Sequence, residues 1–165
     1  MFKLITPAEP FDVTDYASEY FRTSGEDTLV ANLVSAAVQY VEAYTGRKLG
    51  VQTWETVVTP SGLSSVDLLL PLLSVESITH DGEVWPAEKY VVNEAAGTVR
   101  PIEGEAWPGE VTIRFVCGYA DLPHSLLAAV LLIAGDLYAN REAQQDVALY
   151  QNRTVDRLLN AYRVF

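Results

Sequence analysis

The chain has 165 residues, 49% hydrophobic and 20% charged, the composition of one folded domain or one domain with a small lobe and not of a disordered chain. Its formal net charge of −11 argues against general nucleic-acid affinity, which depends on neutralising phosphates. The single cysteine, Cys117, excludes an intrachain disulfide and a cysteine-based zinc cluster. The charge is unevenly spread. Residues 1–140 carry 19 acids against 7 Lys and Arg, whereas residues 141–165 carry Arg141, Arg153, Arg157 and Arg163 against Glu142, Asp146 and Asp156. The C-terminal stretch is the one part that is not acidic.

The N-terminal MFKLITPAEPF has no apolar core of signal-peptide length and meets Pro7 and Pro10 early. Thr14 is placed to cap a short helix over 14–21, with Tyr16, Tyr20 and Phe21 able to pack. A turn at 23–25 leads into the best-marked element, a helix over 27–45. There Val30, Leu33, Val34, Ala37, Val38, Val41 and Tyr44 recur at three- and four-residue steps. Asp27 can accept hydrogen bonds from the first free N–H groups, and Gly46 suits the left-handed residue that closes many helices. Arg47 and Lys48 are expected against the negative end of the helix dipole.

Beyond Gly50 the pattern changes to strands. Gln52 to Thr59 and Val66 to Leu70 are candidates, stopped by Pro60 and Pro71. Val75 to Thr79 and Val84-Trp85 flank His80-Asp81-Gly82-Glu83, a hairpin in which Asp-Gly supplies the positive φ values of a tight turn. Tyr90 to Asn93 and Thr98 to Ile102 flank a second turn. In Val111 to Cys117, Val111, Ile113, Phe115 and Cys117 face one way and Thr112 and Arg114 the other, as in a half-buried strand.

Pro123 opens a helix over 123–141 whose Leu126, Leu127, Val130, Leu131, Ile133, Ala134, Leu137 and Tyr138 leave almost no polar face. Such a helix is expected to be covered on several sides, by its own domain or another subunit. Its apolar run is too short to span a bilayer, so the chain reads as soluble and intracellular. Arg153 to Tyr162 is expected as a last short helix, with Leu158, Leu159 and Tyr162 on its stripe. The expected fold is α+β, with two long helices and short terminal helices around an antiparallel β middle between 52 and 117.

No chemistry emerges from the motifs. Phosphate-loop, dinucleotide and nucleophile-elbow signatures are absent, and Gly46-Arg47-Lys48 has the wrong spacing. His80 and His124 stand apart with no metal-ligand pattern, and both are expected at the surface. Cys117, at the end of an apolar strand face, suits a small buried thiol. Glu103 and Glu105 lack the ordered series of a calcium loop and are expected to be solvated. Asp136, in the apolar helix, must face water or pair with an arginine, with Arg141 and Arg114 the candidates. No catalytic residue, cofactor or metal site is expected.

Ala36-Ala37, Tyr40-Val41-Glu42, Tyr44-Thr45-Gly46-Arg47 and Leu49, followed by Thr53-Trp54, resemble the opening of the head–tail connector proteins of long-tailed bacteriophages and phage-derived gene transfer agents. These are also called head-completion or adaptor proteins. The resemblance continues through Leu70-Pro71-Leu72 with Val75 and Ile78, Phe115 with Gly118-Tyr119, Pro123, Leu137 to Glu142, and Tyr162-Arg163. It extends over roughly residues 12–163, although Leu72 stands where many members carry a second proline.

The resemblance implies a non-enzymatic virion protein. It would form a ring, typically a dodecamer, under the portal protein, added after packaging from the host cytoplasm. Such a ring extends the DNA channel, helps retain the genome and offers the surface on which the stopper and tail assemble. An acidic body would let DNA pass without specific binding, although solubility alone also accounts for the charge. Residues 1–147 would form the connector body and 148–165 a docking tail. In that tail Arg153, Arg157, Tyr162, Arg163 and Phe165 combine basic and aromatic groups suited to the portal. The other reading of the tail is a helix folded back on its own domain. Alternatives for the whole chain are a stopper or tail-terminator, which tend to be mostly β, or a small-molecule binding domain, which needs a preformed apolar pocket. No membrane partner is expected.

Overall fold

The computed structural model describes residues 1–9, 27–62, 64–140 and 153–164. These fall into two compact units, one of residues 1–9 and 48–120, the other of residues 27–47, 121–140 and 153–164. The protein is α+β, with antiparallel sheets and helices. The helix expected over 14–21 lies outside the described residues.

The first unit holds eight strands in two sheets. They are β1 (Phe2–Thr6), β2 (Gln52–Val58), β3 (Val66–Asp67), β4 (Leu72–His80), β5 (Glu83–Val84), β6 (Tyr90–Asn93), β7 (Thr98–Pro101) and β8 (Val111–Cys117). The five-stranded sheet runs β1-β2-β8-β4-β5 and the three-stranded sheet β3-β7-β6, with neighbouring strands antiparallel. Strand β8 is central because its alternation is the cleanest. Val111, Ile113, Phe115 and Cys117 are fully buried while Arg114 is exposed. They join Leu72, Ile78, Val66, Leu68 and Val99 in one apolar core, and Cys117 is the buried thiol its position predicts.

Two tryptophans close this core. Trp85 lies 5.1 Å from Trp107 and 5.6 Å from Tyr90, ring centroid to centroid. Trp107 Nε1 donates to the Ser64 carbonyl at 2.7 Å, so the indole is buried without leaving its donor unpaired. The hairpin forms as its Asp-Gly predicts. Thr79 pairs with Val84 and His80 with Glu83, leaving Asp81 (φ 51°) and Gly82 (φ 83°) as a two-residue turn.

Gly118 ends β8 for a different reason. Its φ is 119°, its N–H donates to the Pro71 carbonyl at 2.9 Å, and a Cβ there would run into the Gly50 carbonyl. Only a residue without a side chain fits this approach. The adjoining Leu70–Pro71 peptide is cis.

Strand β1 corrects the sequence expectation, which placed no strand ahead of the first helix. It pairs antiparallel with β2, Phe2 opposite Thr56 and Leu4 opposite Trp54. The strand expected over Val66 to Leu70 is shorter, Val66–Asp67.

The second unit contains α1 (Asp27–Thr45, 19 residues), α2 (His124–Ala139, 16 residues) and α3 (Arg153–Asn160, 8 residues). Helix α1 buries Val30, Val34, Ala37 and Val41, the predicted face. Buried Thr45 donates its hydroxyl back to the Val41 carbonyl at 2.7 Å, which satisfies it inside the last turn. Arg47 and Lys48 follow the helix end, beyond Gly46. Arg47 Nε donates to the Tyr162 carbonyl at 2.6 Å, and the Lys48 ammonium lies 5.4 Å from the Trp54 ring centre. Helix α2 buries Leu126, Ala129, Val130, Leu131 and Ala134, while Leu137 is 42% exposed, so its apolar surface is only partly covered.

Candidate docking surface

The C-terminal segment is built into the helical unit. Helix α3 buries Val155 and Leu159, whereas Leu158, expected on the same stripe, is half-buried. Four residues separate Val155 from Leu159, one turn of a helix, and that pair fixes the buried face. Arg153 and Arg157 share the same spacing and are both exposed.

After α3 the chain is tied to the end of α1 by main-chain and side-chain bonds. The Val164 N–H donates to the Thr45 carbonyl at 2.8 Å, and the Tyr162 carbonyl takes the Arg47 bond. The Tyr44 hydroxyl donates to Asn160 Oδ1 at 2.9 Å. Tyr162 and Ser125 share a 2.7 Å hydroxyl–hydroxyl bond, which adds α2 to the same joint.

A ladder of aromatic and cationic groups lines the outside of this joint. Tyr40 stacks on Tyr44 with ring centroids 6.3 Å apart, and the Arg163 guanidinium lies 5.4 Å from the Tyr44 ring centre. The two tyrosines are one helical turn apart on α1, the spacing at which rings on a helix face meet. Tyr40 remains 51% exposed and Arg163 is exposed. The exposed Tyr40, stacked on the half-buried Tyr44 that the guanidinium contacts, presents large rigid area with little rotamer freedom to lose, the make-up of interface hot spots. Tyr162 is half-buried, and Phe165 lies outside the described residues.

The other sequence candidates are dispersed. Arg114 pairs with Glu55 on the neighbouring strand β2 at 3.1 Å, and Arg141 lies outside the described residues. Asp136 is exposed and its main-chain carbonyl accepts from Asn140. Glu105 lies 3.5 Å from Lys89, and His80 contacts the Glu110 carbonyl at 2.9 Å and Asp81 at 3.3 Å. Among the described residues no three His, Cys, Asp or Glu side chains gather to hold a metal ion, and no helix is long and apolar enough to cross a membrane. Tyr40 and Tyr44 were visible in the sequence only as members of a motif and a stripe; their one-turn spacing was the available signal.

Part of the chain is similar in sequence to a phage head completion protein, and its fold is similar to that of chains in gene transfer agent particles. Over 44 residues, 27% of this chain, it is 39% identical to the head completion protein gp6 of Enterobacteria phage HK97. That stretch is 41% of gp6, so the chain spans less than half the length of this relative. No family model matches the chain. In fold it is similar over its whole length to a chain in the neck of an empty gene transfer agent (GTA) particle computed with C6 symmetry, with a TM-score of 0.78, 19% identity and 96% of that chain covered. A chain of the native GTA virion gives 0.78 at 18% identity, again over 100% of this chain and 96% of the other. One in the native GTA neck computed with C12 symmetry gives 0.72 at 21%, with the same coverage. At such identities the likeness establishes a shared fold.

Proposed function

We propose that this chain is a non-enzymatic structural subunit of the head–tail joint of a long-tailed phage or a gene transfer agent. Subunits form a ring beneath the portal protein, extend the DNA channel, help retain packaged DNA and receive the stopper and tail. The observation that carries this reading is the full-length fold likeness to chains of GTA necks, covering 100% of this chain and 96% of its counterpart. A shared domain inside an unrelated protein would leave much of one chain unmatched. The C6 and C12 symmetry of those particles supports a cyclic ring, and the dodecamer is the form we propose. Within that ring the exposed Arg153, Arg157 and Arg163, with Tyr162 and Phe165, dock the C-terminal segment on the portal. DNA passes through without specific binding, because a net charge of −11 repels phosphate.

The test is electron microscopy of particles from a strain lacking the gene. Filled or leaking heads beside free, complete tails are expected. Normal tailed particles would overturn the reading, and empty proheads alone would replace it with an earlier role in packaging.

A further inference from the structure

The five-stranded sheet ends in two unlike edges. On one side β1 pairs with β2 alone, and among the described residues no strand lies beyond it. A strand edge with unpaired N–H and C=O groups is a template for another strand. The apolar side chains here remain open too: Phe2 is 39% exposed, Leu4 42%, and Val57 on the neighbouring strand 47%. On the other side the nine-residue β4 is paired by β5 only at Thr79 and His80, so its Leu72 to Ser77 stretch runs beyond that short cover.

These edges fit one another. Steps β1–β2, β2–β8 and β8–β4 are each antiparallel, so β4 runs opposite to β1. Copies related by rotation about a ring axis keep that relation, and β1 of one meets β4 of the next antiparallel. The contact is head-to-tail, the kind that closes into a ring when its rotation closes. Charge selects it over a symmetric pairing. The one charged side chain on β1 is Lys3, and the carboxylate opposite it, Glu55, is already held by Arg114 at 3.1 Å. The β4–β5 edge exposes Glu76, Asp81 and Glu83 together with Val84, 68% exposed. Two β1 strands laid side by side would instead bring Lys3 towards Lys3. Register shifts between Leu4 and Thr6 in β1, and at two places in β4, confine regular pairing to short runs. They guard against indefinite strand addition.

We propose that the outer edge of β1 pairs antiparallel with the Leu72 to Ser77 stretch of β4, which β5 leaves uncovered, in a second copy of this chain, Lys3 facing the acids along that edge, and that this is the contact from which the ring is built. It deepens the ring reading above and rests on it for the cyclic repetition alone.

The full-length Lys3→Cys/Glu76→Cys variant, treated with a short bis-maleimide, tests it; Cys117 is buried and contributes little background. A ladder of dimers, trimers and larger species is expected from the double variant and from neither single one. Dimers from Lys3→Cys alone would mean that β1 meets β1, and would overturn the proposal. So would a chain that stays monomeric by sedimentation at every concentration reached, although a role at the neck would survive that result. Lys3→Glu, which leaves the fold's interior untouched, should weaken association about fivefold, and Lys3→Glu/Glu76→Lys should recover most of it. Equal association of all three forms would count against the proposal. A ladder from a protein whose loss leaves normal tailed particles would support edge pairing while removing the neck.

Discussion

Tyr90 shows how a single polar atom ties the small sheet to pH. Its ring stacks on Trp85, and burial raises its phenol pKa above the ordinary 10.0. The folded chain therefore holds that proton more tightly than the unfolded chain does. The resulting stability is fully present below about pH 10 and is lost as pH climbs through the raised folded value. Tyr90→Phe keeps the stack and removes the titration. Its urea midpoint should fall less than that of the wild type between about pH 9 and pH 11. Parallel losses in both would assign the alkaline sensitivity to other groups. Gly118 works at the same scale through shape alone, since its φ of 119° and the Gly50 carbonyl beside it leave no room for a methyl group.

At the scale of elements, α3 is held by Val155 and Leu159, with Leu159 fully buried. Leu159→Ala should destabilise the protein by about 2–4 kcal/mol, read by denaturant unfolding, and Leu158→Ala by clearly less because Leu158 is half-buried. Equal effects would mean that the helix is rotated from the face described. This helix also shows where sequence reading stops. Its existence followed from the Leu158, Leu159 and Tyr162 stripe, but its phase was set by α1 and α2, which pack on it from distant parts of the chain. Strand β8 and the Asp81-Gly82 turn could be read directly, because alternation and positive φ are local demands. Strand β1 could not. Its five residues are nearly all exposed, so no buried face imprints a period, and its pairing with β2 spans some fifty residues. The docking surface divides the same way. Arg153 and Arg157 were evident from the basic and aromatic make-up of the C-terminal stretch, whereas the contact of Arg163 with Tyr44 depends on the chain returning to α1.

Across the whole molecule, charge is unevenly spread. Most of the chain is acidic, and the C-terminal residues alone balance towards positive. A net charge of −11 repels both DNA phosphate and like-charged copies at long range, so the proposed attachment needs a local surface of opposite sign. Arg153 and Arg157, exposed and one turn apart on a helix whose other face is buried, supply one without exposing any core. Their removal should therefore separate docking from folding. The double variant Arg153→Glu/Arg157→Glu should unfold within about 0.5 kcal/mol of the wild type, because exposed substitutions away from special features change little. When supplied to particles from a strain lacking the gene, it should fail to sediment with filled heads that the wild type binds. Wild-type attachment should weaken as salt rises, as it does for charge-steered contacts. A variant that folds and still binds heads as tightly would place docking on another surface, the Tyr40–Tyr44 ladder being next. A variant that unfolds would mean that the arginines support α3 itself, and the milder Arg153→Gln/Arg157→Gln would then separate charge from fold.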